Sequence, residues 1–118
     1  MKTKKFKVWD YKEKKFDYFD LSNITVSDYK LAYERLYQFI GIWDKNMKEI
    51  YERDVVKFFT LNGEELGEVL YSTDSCAYYI NEYPIMNLDL ASLEIVGNMV
   101  EDYMWDESGE KLIKQNYD

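Results

Sequence analysis

The sequence contains no histidine, one cysteine and one proline. Without histidine, the nucleophilic dyads that pair serine or cysteine with histidine are excluded, and the usual general base near neutral pH is missing. The lone Cys76 excludes an intramolecular disulfide, and no cluster of cysteine and histidine is present to hold zinc. These absences favour a reducing, cytoplasmic setting and a protein without a metal or another cofactor.

Long apolar runs are also missing. No window approaches the roughly eighteen uninterrupted apolar residues that a membrane-spanning helix needs. Residues 1–16 contain seven lysines, but Phe6, Val8 and Trp9 are interleaved with them and no apolar segment follows. We therefore expect neither a membrane span nor a signal peptide.

The phosphate-binding motifs G-x-x-x-x-G-K-[ST] and G-x-G-x-x-G are both absent, and so is the D-x-[DN]-x-[DN]-G calcium pattern. Paired carboxylates are the remaining route to catalysis. The candidate pairs, Asp44 with Asp54 and Glu64 with Glu65, lie at predicted turns, where acidic residues serve turn geometry and solvation. We predict that the protein is not an enzyme.

What is present favours one small β-rich domain over residues 1–118. Hydrophobic residues make up 47% of the 118 positions and aromatic residues 18%, which is enough for a core and suits pleated surfaces. Residues 1–16 carry a net charge of +5 and residues 17–110 a net charge of −14, within a total of −8. An acidic body disfavours nucleic-acid binding, except through the N-terminal strands, and suits a basic protein partner; solubility alone also explains it.

The hydrophobic period predicts an N-terminal β-hairpin over residues 1–20, with a charged turn at residues 11–13 and its lysines on the polar face of a sheet edge. Ser27 is a candidate cap for one short helix near 28–35, where Tyr29, Ala32 and Tyr33 share a face. The pattern does not fix where this helix gives way to strand between residues 28 and 43, because Leu36–Trp43 is also rich in β-favouring residues.

The segment Leu36–Phe58 has two apolar arms around the turn Asp44-Lys45-Asn46 and a second break at residues 52–54. Further strands are predicted at residues 55–60, 68–71, 76–80 and 92–100, with a turn at 62–65 and a loop at 81–91. Cys76 is expected to be a small buried hydrophobe. Residues 103–118 form an acidic and aromatic tail, interpreted as a short helix or an irregular segment.

Five stretches in this order carry a resemblance to a known family: FKVWD, KKFDYF, YQFIGIWDKNMKEIYERDVVKF, GEVLY and LEIVGNMVED. Together they resemble the YopX-like family of phage and prophage proteins. The resemblance implies a mainly β, or β-rich α+β, fold in which an N-terminal hairpin precedes a strongly bent antiparallel sheet, similar to an SH3-like barrel, over residues 36–102. It implies structural roles for seven motif residues: Trp9, Asp10, Gly41, Asp44, Asn46, Asp54 and Gly97.

Two positions depart from the family pattern. Met47 and Arg53 stand where the family usually has glycine, so we expect the backbone to differ there, with Asn46 as the residue that takes over the left-handed conformation. Gly97 within a strand indicates a bulge or tight bend.

Three functions are compatible with these patterns. The favoured one is a non-enzymatic phage or prophage accessory protein that acts in the host cytoplasm through protein–protein interaction. The second is an acidic mimic of nucleic acid that inhibits a basic host or antiviral defence protein, and the third is an SH3-like nucleic-acid-binding module that uses the lysine hairpin. Homo-oligomerisation is left open. The candidate partner-binding residues are Asp102, Tyr103, Trp105, Asp106 and Glu107.

Overall fold

The computed structural model describes residues 5–10, 12–20 and 36–115, and these residues form a mainly β fold with a curled half-barrel sheet. The predicted fold class is thereby confirmed, while the helix expected near 28–35 lies outside the described residues. The strands are β1 (Lys5–Asp10), β2 (Lys15–Asp20), β3 (Leu36–Trp43), β4 (Glu49–Tyr51), β5 (Asp54–Thr60), β6 (Gly63–Ser72), β7 (Ala77–Ile80), β8 (Tyr83–Pro84), β9 (Glu94–Asn98), β10 (Tyr103–Trp105) and β11 (Leu112–Lys114).

The strands of the described residues form three antiparallel groups. A four-stranded sheet has the order β2-β1-β3-β4, a five-stranded sheet has the order β8-β7-β6-β5-β9, and β10 pairs with β11. The 3-10 turns Ile85–Asn87 and Leu90–Ser92 lie in the loop predicted between β7 and β9. No helix in the described parts of the chain is long and apolar enough to cross a membrane.

The N-terminal hairpin is present as predicted, and its described lysines are exposed as expected except for Lys7. β1 and β2 pair from Lys5↔Asp20 to Asp10↔Lys15. β1 also pairs with β3, so of the two hairpin strands β1 lies inside the sheet and β2 lies at an edge. Lys7, expected on the polar face, is only 4% exposed. Strand alternation could not reveal this, because it assigns Lys7 to a face of β1 but does not show that Asp54 and Tyr51 pack against Lys7 there.

The segment Leu36–Phe58 forms β3, a turn, β4, a second turn and the start of β5, as the family resemblance implies. Residues 36–43, which the pattern left open between helix and strand, are strand. Gly41 has φ +87° within β3, where the pairing with β4 shifts register between Phe39 and Trp43. The left-handed conformation at such a bulge costs least energy for glycine, which explains why glycine occupies this motif position.

The two non-glycine positions keep the left-handed backbone. Met47 has φ +64° and Arg53 has φ +71°, whereas Asn46 has no positive φ. The expectation that Asn46 would take over this conformation is therefore wrong. The Asp44 side chain explains the outcome, because it holds the amides of Asn46 and Lys48 and so fixes the turn around Met47.

The core lies between β4, β5, β6, β7 and the segment that leads into β9. Its members are aliphatic residues and one phenylalanine, all 2% exposed or less: Ile50, Val56, Phe58, Val69, Ile80, Ile85 and Leu93. Partly buried Ile40, Ile42 and Ile95 pack against them. Burial of such side chains typically contributes about 1.5–3 kcal/mol each, which makes this cluster the main source of stability.

Three local predictions need correction. The β5–β6 turn is shorter than expected, because Thr60 already pairs with Gly63. Cys76 is exposed rather than buried and has φ +51°, since it belongs to the turn before β7. The segment expected to be a helix or an irregular tail instead contains the β10–β11 hairpin. Asp106 and Gly109, the latter with φ +74°, form its turn, a signal the sequence did carry.

Candidate functional site: an aromatic cleft between the hairpin and the core sheet

A cleft of about 590 Å³ opens where the N-terminal hairpin meets β4, β5 and β9. The hairpin contributes Lys7, Phe16 and Tyr18 to its lining. The rest of the described chain contributes Trp43, Met47, Lys48, Glu49, Tyr51, Asp54, Ile95, Gly97, Asn98 and Glu101. The lining therefore combines aromatic walls with charged groups of both signs.

A buried ion pair joins the hairpin to the core at this cleft. Lys7 Nζ lies 3.0 Å from Asp54 Oδ1, and the two side chains are 6% and 5% exposed. The backbone N–H of Tyr51 donates to Asp54 Oδ2 at 2.8 Å. Burial raises the pKa of the Asp54 carboxyl, and this effect exceeds the lowering by the Lys7 ammonium and the Tyr51 N–H. The pair thus fixes how the hairpin docks.

Aromatic rings also surround the Lys7 ammonium. Its Nζ lies 4.2 Å from the centroid of Phe16 and 5.0 Å from that of Tyr51. Such cation–π contacts partly replace the water that the ammonium loses on burial. The walls of this cleft can therefore hold a positive charge.

The outer wall of the cleft is aromatic and accessible. Tyr18 packs edge-on against Tyr51 at 5.6 Å between centroids, yet it is 63% exposed. Trp43 is 37% exposed and packs on Phe39 at 5.2 Å, and Met47 is 77% exposed. Large rings held by neighbouring rings present a rigid surface that loses little entropy when another molecule covers it.

Carboxylates stand beside these rings. Glu49 pairs with Lys5, and Glu101 Oε1 accepts from Asn98 Nδ2 at 3.1 Å. Partial burial raises the pKa of the Tyr18 hydroxyl, and the carboxylates of Asp54, Glu101 and Glu49 raise it further. The pKa of Tyr51 is raised by burial first and by Glu49 next. The tyrosines therefore stay neutral in a negative local field.

Asp44 fixes the turn that forms one lip of the cleft. Its Oδ1 accepts from the amides of Asn46 at 2.8 Å and Lys48 at 2.9 Å, and its Oδ2 accepts from the amide of Ile95 at 3.0 Å. Burial raises the pKa of this carboxyl, but the three N–H donors outweigh burial and leave the pKa below its ordinary value. Asp44 and Asp54, the two carboxylates considered above as a catalytic pair, therefore both make hydrogen bonds or an ion pair within the fold.

The other motif residues stabilise turns and close packing. Trp9 packs edge-on against Phe16 at 4.9 Å, and Asp10 Oδ1 accepts from the amides of Lys12 and Glu13 in the hairpin turn. At Gly97, an added Cβ would lie 2.8 Å from Asp102 Oδ2 and from the Tyr103 ring. Glycine is needed at this position for space rather than for a positive φ.

None of the five candidate partner-binding residues lines the cleft, although Asp102 and Tyr103 lie against its lining residue Gly97. Asp102 Oδ2 accepts from the amide of Asn98, and Tyr103 is only 7% exposed. Asp106 Oδ1 accepts from Ser108 and from the amide of Glu110 within the turn, where Glu107 is exposed. Their role in binding a partner stays a prediction.

Trp105 belongs to a second buried charge cluster. Its Nε1 donates to Glu68 Oε1 at 2.8 Å, and Arg53 Nε lies 2.8 Å from Glu68 Oε2. Glu68 is 2% exposed, so the Trp105 hydrogen bond and the Arg53 ion pair offset the burial of its carboxylate, although Oε2 itself accepts no hydrogen bond from the described residues. The cluster ties the C-terminal hairpin to β6.

Sequence reasoning did not find the cleft residues Lys7, Tyr18, Tyr51 and Glu101. The alternation of apolar and charged residues in β1 predicted that Lys7 would face solvent. The surplus of tyrosine was the only feature of the sequence that pointed to an aromatic site. Within the described residues, no group of three or more histidine, cysteine, aspartate or glutamate side chains could hold a metal ion.

Comparison with known proteins gives one family. A family model described as YopX protein matches residues 2–103. A search of the curated proteins found no match.

Proposed function

Because the chain belongs to the YopX family, and membership of this family suggests a phage or prophage-type protein, we propose that it is a non-enzymatic accessory protein that binds a protein partner in the host cytoplasm. The observation that carries this proposal is the accessible aromatic cleft between the hairpin and the core sheet. Binding energy at protein interfaces concentrates in tyrosine, tryptophan and arginine anchors that are held in place before contact.

The cleft has the features of a preformed docking site. Its walls come from separate elements that the Lys7–Asp54 pair and the Asp44 hydrogen bonds hold together. Tyr18 and Met47 project beside it, 63% and 77% exposed. A partner that covered these side chains would bury apolar area without first ordering the surface.

Affinity capture with matched variants tests the proposal. The bait is the full chain, as wild type, as the double variant Tyr18→Ala/Trp43→Ala, and as the control Phe59→Ala/Leu61→Ala. The control removes apolar side chains that are 51% and 107% exposed elsewhere on the surface. Each protein captured from host lysate is then purified and its Kd for all three baits is measured.

We expect a partner that the wild type and the control bind alike and that the cleft variant binds at least about tenfold more weakly, since hot-spot truncations cost about 2 kcal/mol or more. Equal affinity for the cleft variant and the control would contradict the proposal. The three baits should show the same thermal unfolding within a few degrees, so that misfolding does not explain a loss.

The identity of the partner separates the other functions. An acidic mimic would compete with DNA or RNA for a basic protein, and a homo-oligomer would appear as self-capture and in light scattering. The lysine hairpin offers less free charge to nucleic acid than its composition suggests, because Lys5, Lys7 and Lys15 all pair with carboxylates.

A further inference from the structure

We propose that the N-terminal hairpin, β1 with β2, is a hinged wall of the cleft that undocks from the core as one unit while the five-stranded sheet stays folded. The docked form described above is the major state, and the open form is a minor one. The opening itself does not depend on what the cleft binds, whereas its effect on binding rests on the proposed function.

The aliphatic core is built without the hairpin. Its buried members named above lie between Ile50 and Leu93, and the partly buried side chains that pack against them lie between Ile40 and Ile95. Among the described residues, none of the side chains in this core therefore comes from β1 or β2. Because burial of apolar area is the main source of stability, the five-stranded sheet keeps most of its stabilising contacts when the hairpin moves away.

The hairpin has contacts of its own that let it move as one body. β1 and β2 pair over all six residues of each strand. Trp9 packs edge-on against Phe16 at 4.9 Å between ring centroids, and Phe6 stacks on Phe19 at 5.8 Å. None of these contacts has to break when the hairpin leaves the core.

The hairpin is joined to the rest of the described chain by a short ladder and by polar and aromatic contacts. β1 pairs with β3 at three positions. Beyond this ladder, charged and aromatic contacts join the two parts, namely Lys7 with Asp54, Lys5 with Glu49 and Tyr18 with Tyr51. On opening, water returns to the buried ammonium and carboxylate, and their hydration offsets much of the attraction that is lost. Undocking therefore costs less free energy than unfolding of the whole domain.

The complete cleft exists only in the docked form. Phe16 and Tyr18 come from the hairpin, whereas Trp43, Met47 and Ile95 come from the rest of the described chain. Undocking separates these two walls. A partner that needs both walls binds the docked form alone, so the open fraction lowers its apparent affinity, and a bound partner keeps the hairpin docked.

Native-state hydrogen exchange of the full chain, followed by NMR at low urea concentrations, tests the opening. The amides of β1 report on the hairpin, because β1 is paired on both sides, and the amides of β5 and β6 report on the core. In the wild type we expect protection factors in β1 that are at least about tenfold lower than those in the core, with a weaker dependence on urea.

Two variants separate undocking from unfolding of the whole domain. Ile80→Val trims a core side chain that is 0% exposed. It should speed exchange of the core amides several-fold and leave the β1 amides unchanged, because the core is intact in both the docked and the open form. The matched variant Tyr18→Ala removes a contact that exists only in the docked form, so it should speed exchange of both groups by about the same factor.

Three results would overturn the inference: β1 and core amides that exchange through the same opening in the wild type, an Ile80→Val protein in which both groups accelerate equally, or a Tyr18→Ala protein in which the core amides accelerate and the β1 amides do not. If β1 opens separately but no captured protein depends on the cleft, the undocking stands and the proposed function fails. If a captured protein needs the cleft but β1 exchanges only together with the core, the proposed function stands and the hinge is wrong.

Discussion

Met47 and Arg53 hold left-handed backbone conformations that glycine adopts at lower cost. Both φ values, +64° and +71°, lie in the region where an L side chain crowds its own carbonyl. The two side chains differ in the contacts they make in the fold. Met47 is 77% exposed, whereas Arg53 Nε lies 2.8 Å from the buried carboxylate of Glu68.

We therefore expect Met47→Gly to raise the free energy of unfolding by about 1 kcal/mol, because the backbone penalty is relieved and an exposed side chain is lost. Arg53→Gly should not stabilise the protein, because Glu68 would lose its cation. Urea unfolding measures both. A Met47→Gly protein less stable than the wild type would contradict this explanation of the turn.

Asp44 makes stability depend on pH in the acid range. Its pKa is lowered in the fold, below the ordinary value of 3.8, because three backbone N–H groups outweigh burial. A carboxyl with a depressed folded pKa contributes stability that is fully present above the unfolded pKa and is lost as pH falls through the folded pKa. Asp44→Asn should cost about 1–3 kcal/mol at neutral pH.

The cost of Asp44→Asn should shrink as the pH falls below about 4, because the wild-type carboxyl then becomes protonated as well. Urea unfolding of both proteins between neutral and acid pH measures this. The exposed Asp74→Asn variant is the control and should match the wild type throughout. A pH-independent difference between wild type and Asp44→Asn would rule out a titrating Asp44 as the cause.

A buried charge pair, Lys7 with Asp54, joins the N-terminal hairpin to the core in addition to the β1–β3 pairing, and a double-mutant cycle measures its contribution. Lys7→Met leaves the Asp54 carboxylate buried without its cation, which should cost about 3–5 kcal/mol. In Lys7→Met/Asp54→Asn the charge is gone, and the amide oxygen of Asn can still accept from the Tyr51 N–H.

The double variant should therefore be more stable than Lys7→Met alone, with a coupling energy of at least about 1 kcal/mol in urea unfolding. Additive losses would show that the two side chains act independently. In that case the pair would not be what holds the hairpin.

The C-terminal hairpin is part of the fold rather than a loose tail, and Trp105 tests this. Trp105→Phe keeps an aromatic ring at this position but removes the Nε1–H that donates to Glu68 at 2.8 Å. We expect a loss of about 1–3 kcal/mol in thermal or urea unfolding, because a buried carboxylate loses a donor. Met104→Ala, which truncates a 46% exposed side chain on the same strand, should cost less. A larger loss for Met104→Ala would contradict this role of Trp105.

The elements show which parts of the fold a strand pattern can predict. β1 and β2 follow clear alternation, the breaks at residues 44–46 and 52–54 carry clear turn signals, and these features form as predicted. The pattern left open whether residues 36–43 are helix or strand. The β10–β11 hairpin was not predicted, because strands of three residues are too short to show a period. Lys7 was misplaced because alternation assigns a residue to a face but does not say what packs on that face.

At the scale of the whole molecule, the cleft could not be predicted because it joins residues far apart in sequence. Lys7 and Asp54 are 47 positions apart, and Asp44 meets Ile95 across 51 positions. The family resemblance identified several of these residues as structural. It gave no sign that Tyr18, Trp43 and Tyr51 would gather beside them, because that grouping depends on how the hairpin docks.

Site-specific photo-crosslinking in host cells tests most directly whether this cleft is the docking surface. A photoreactive phenylalanine analogue replaces Tyr18 in one strain and Phe59 in another; both wild-type side chains are aromatic, with 63% and 51% exposure. We predict a discrete adduct with one host or phage protein from position 18 and none from position 59. No adduct from position 18, or the same adducts from both positions, would contradict the account.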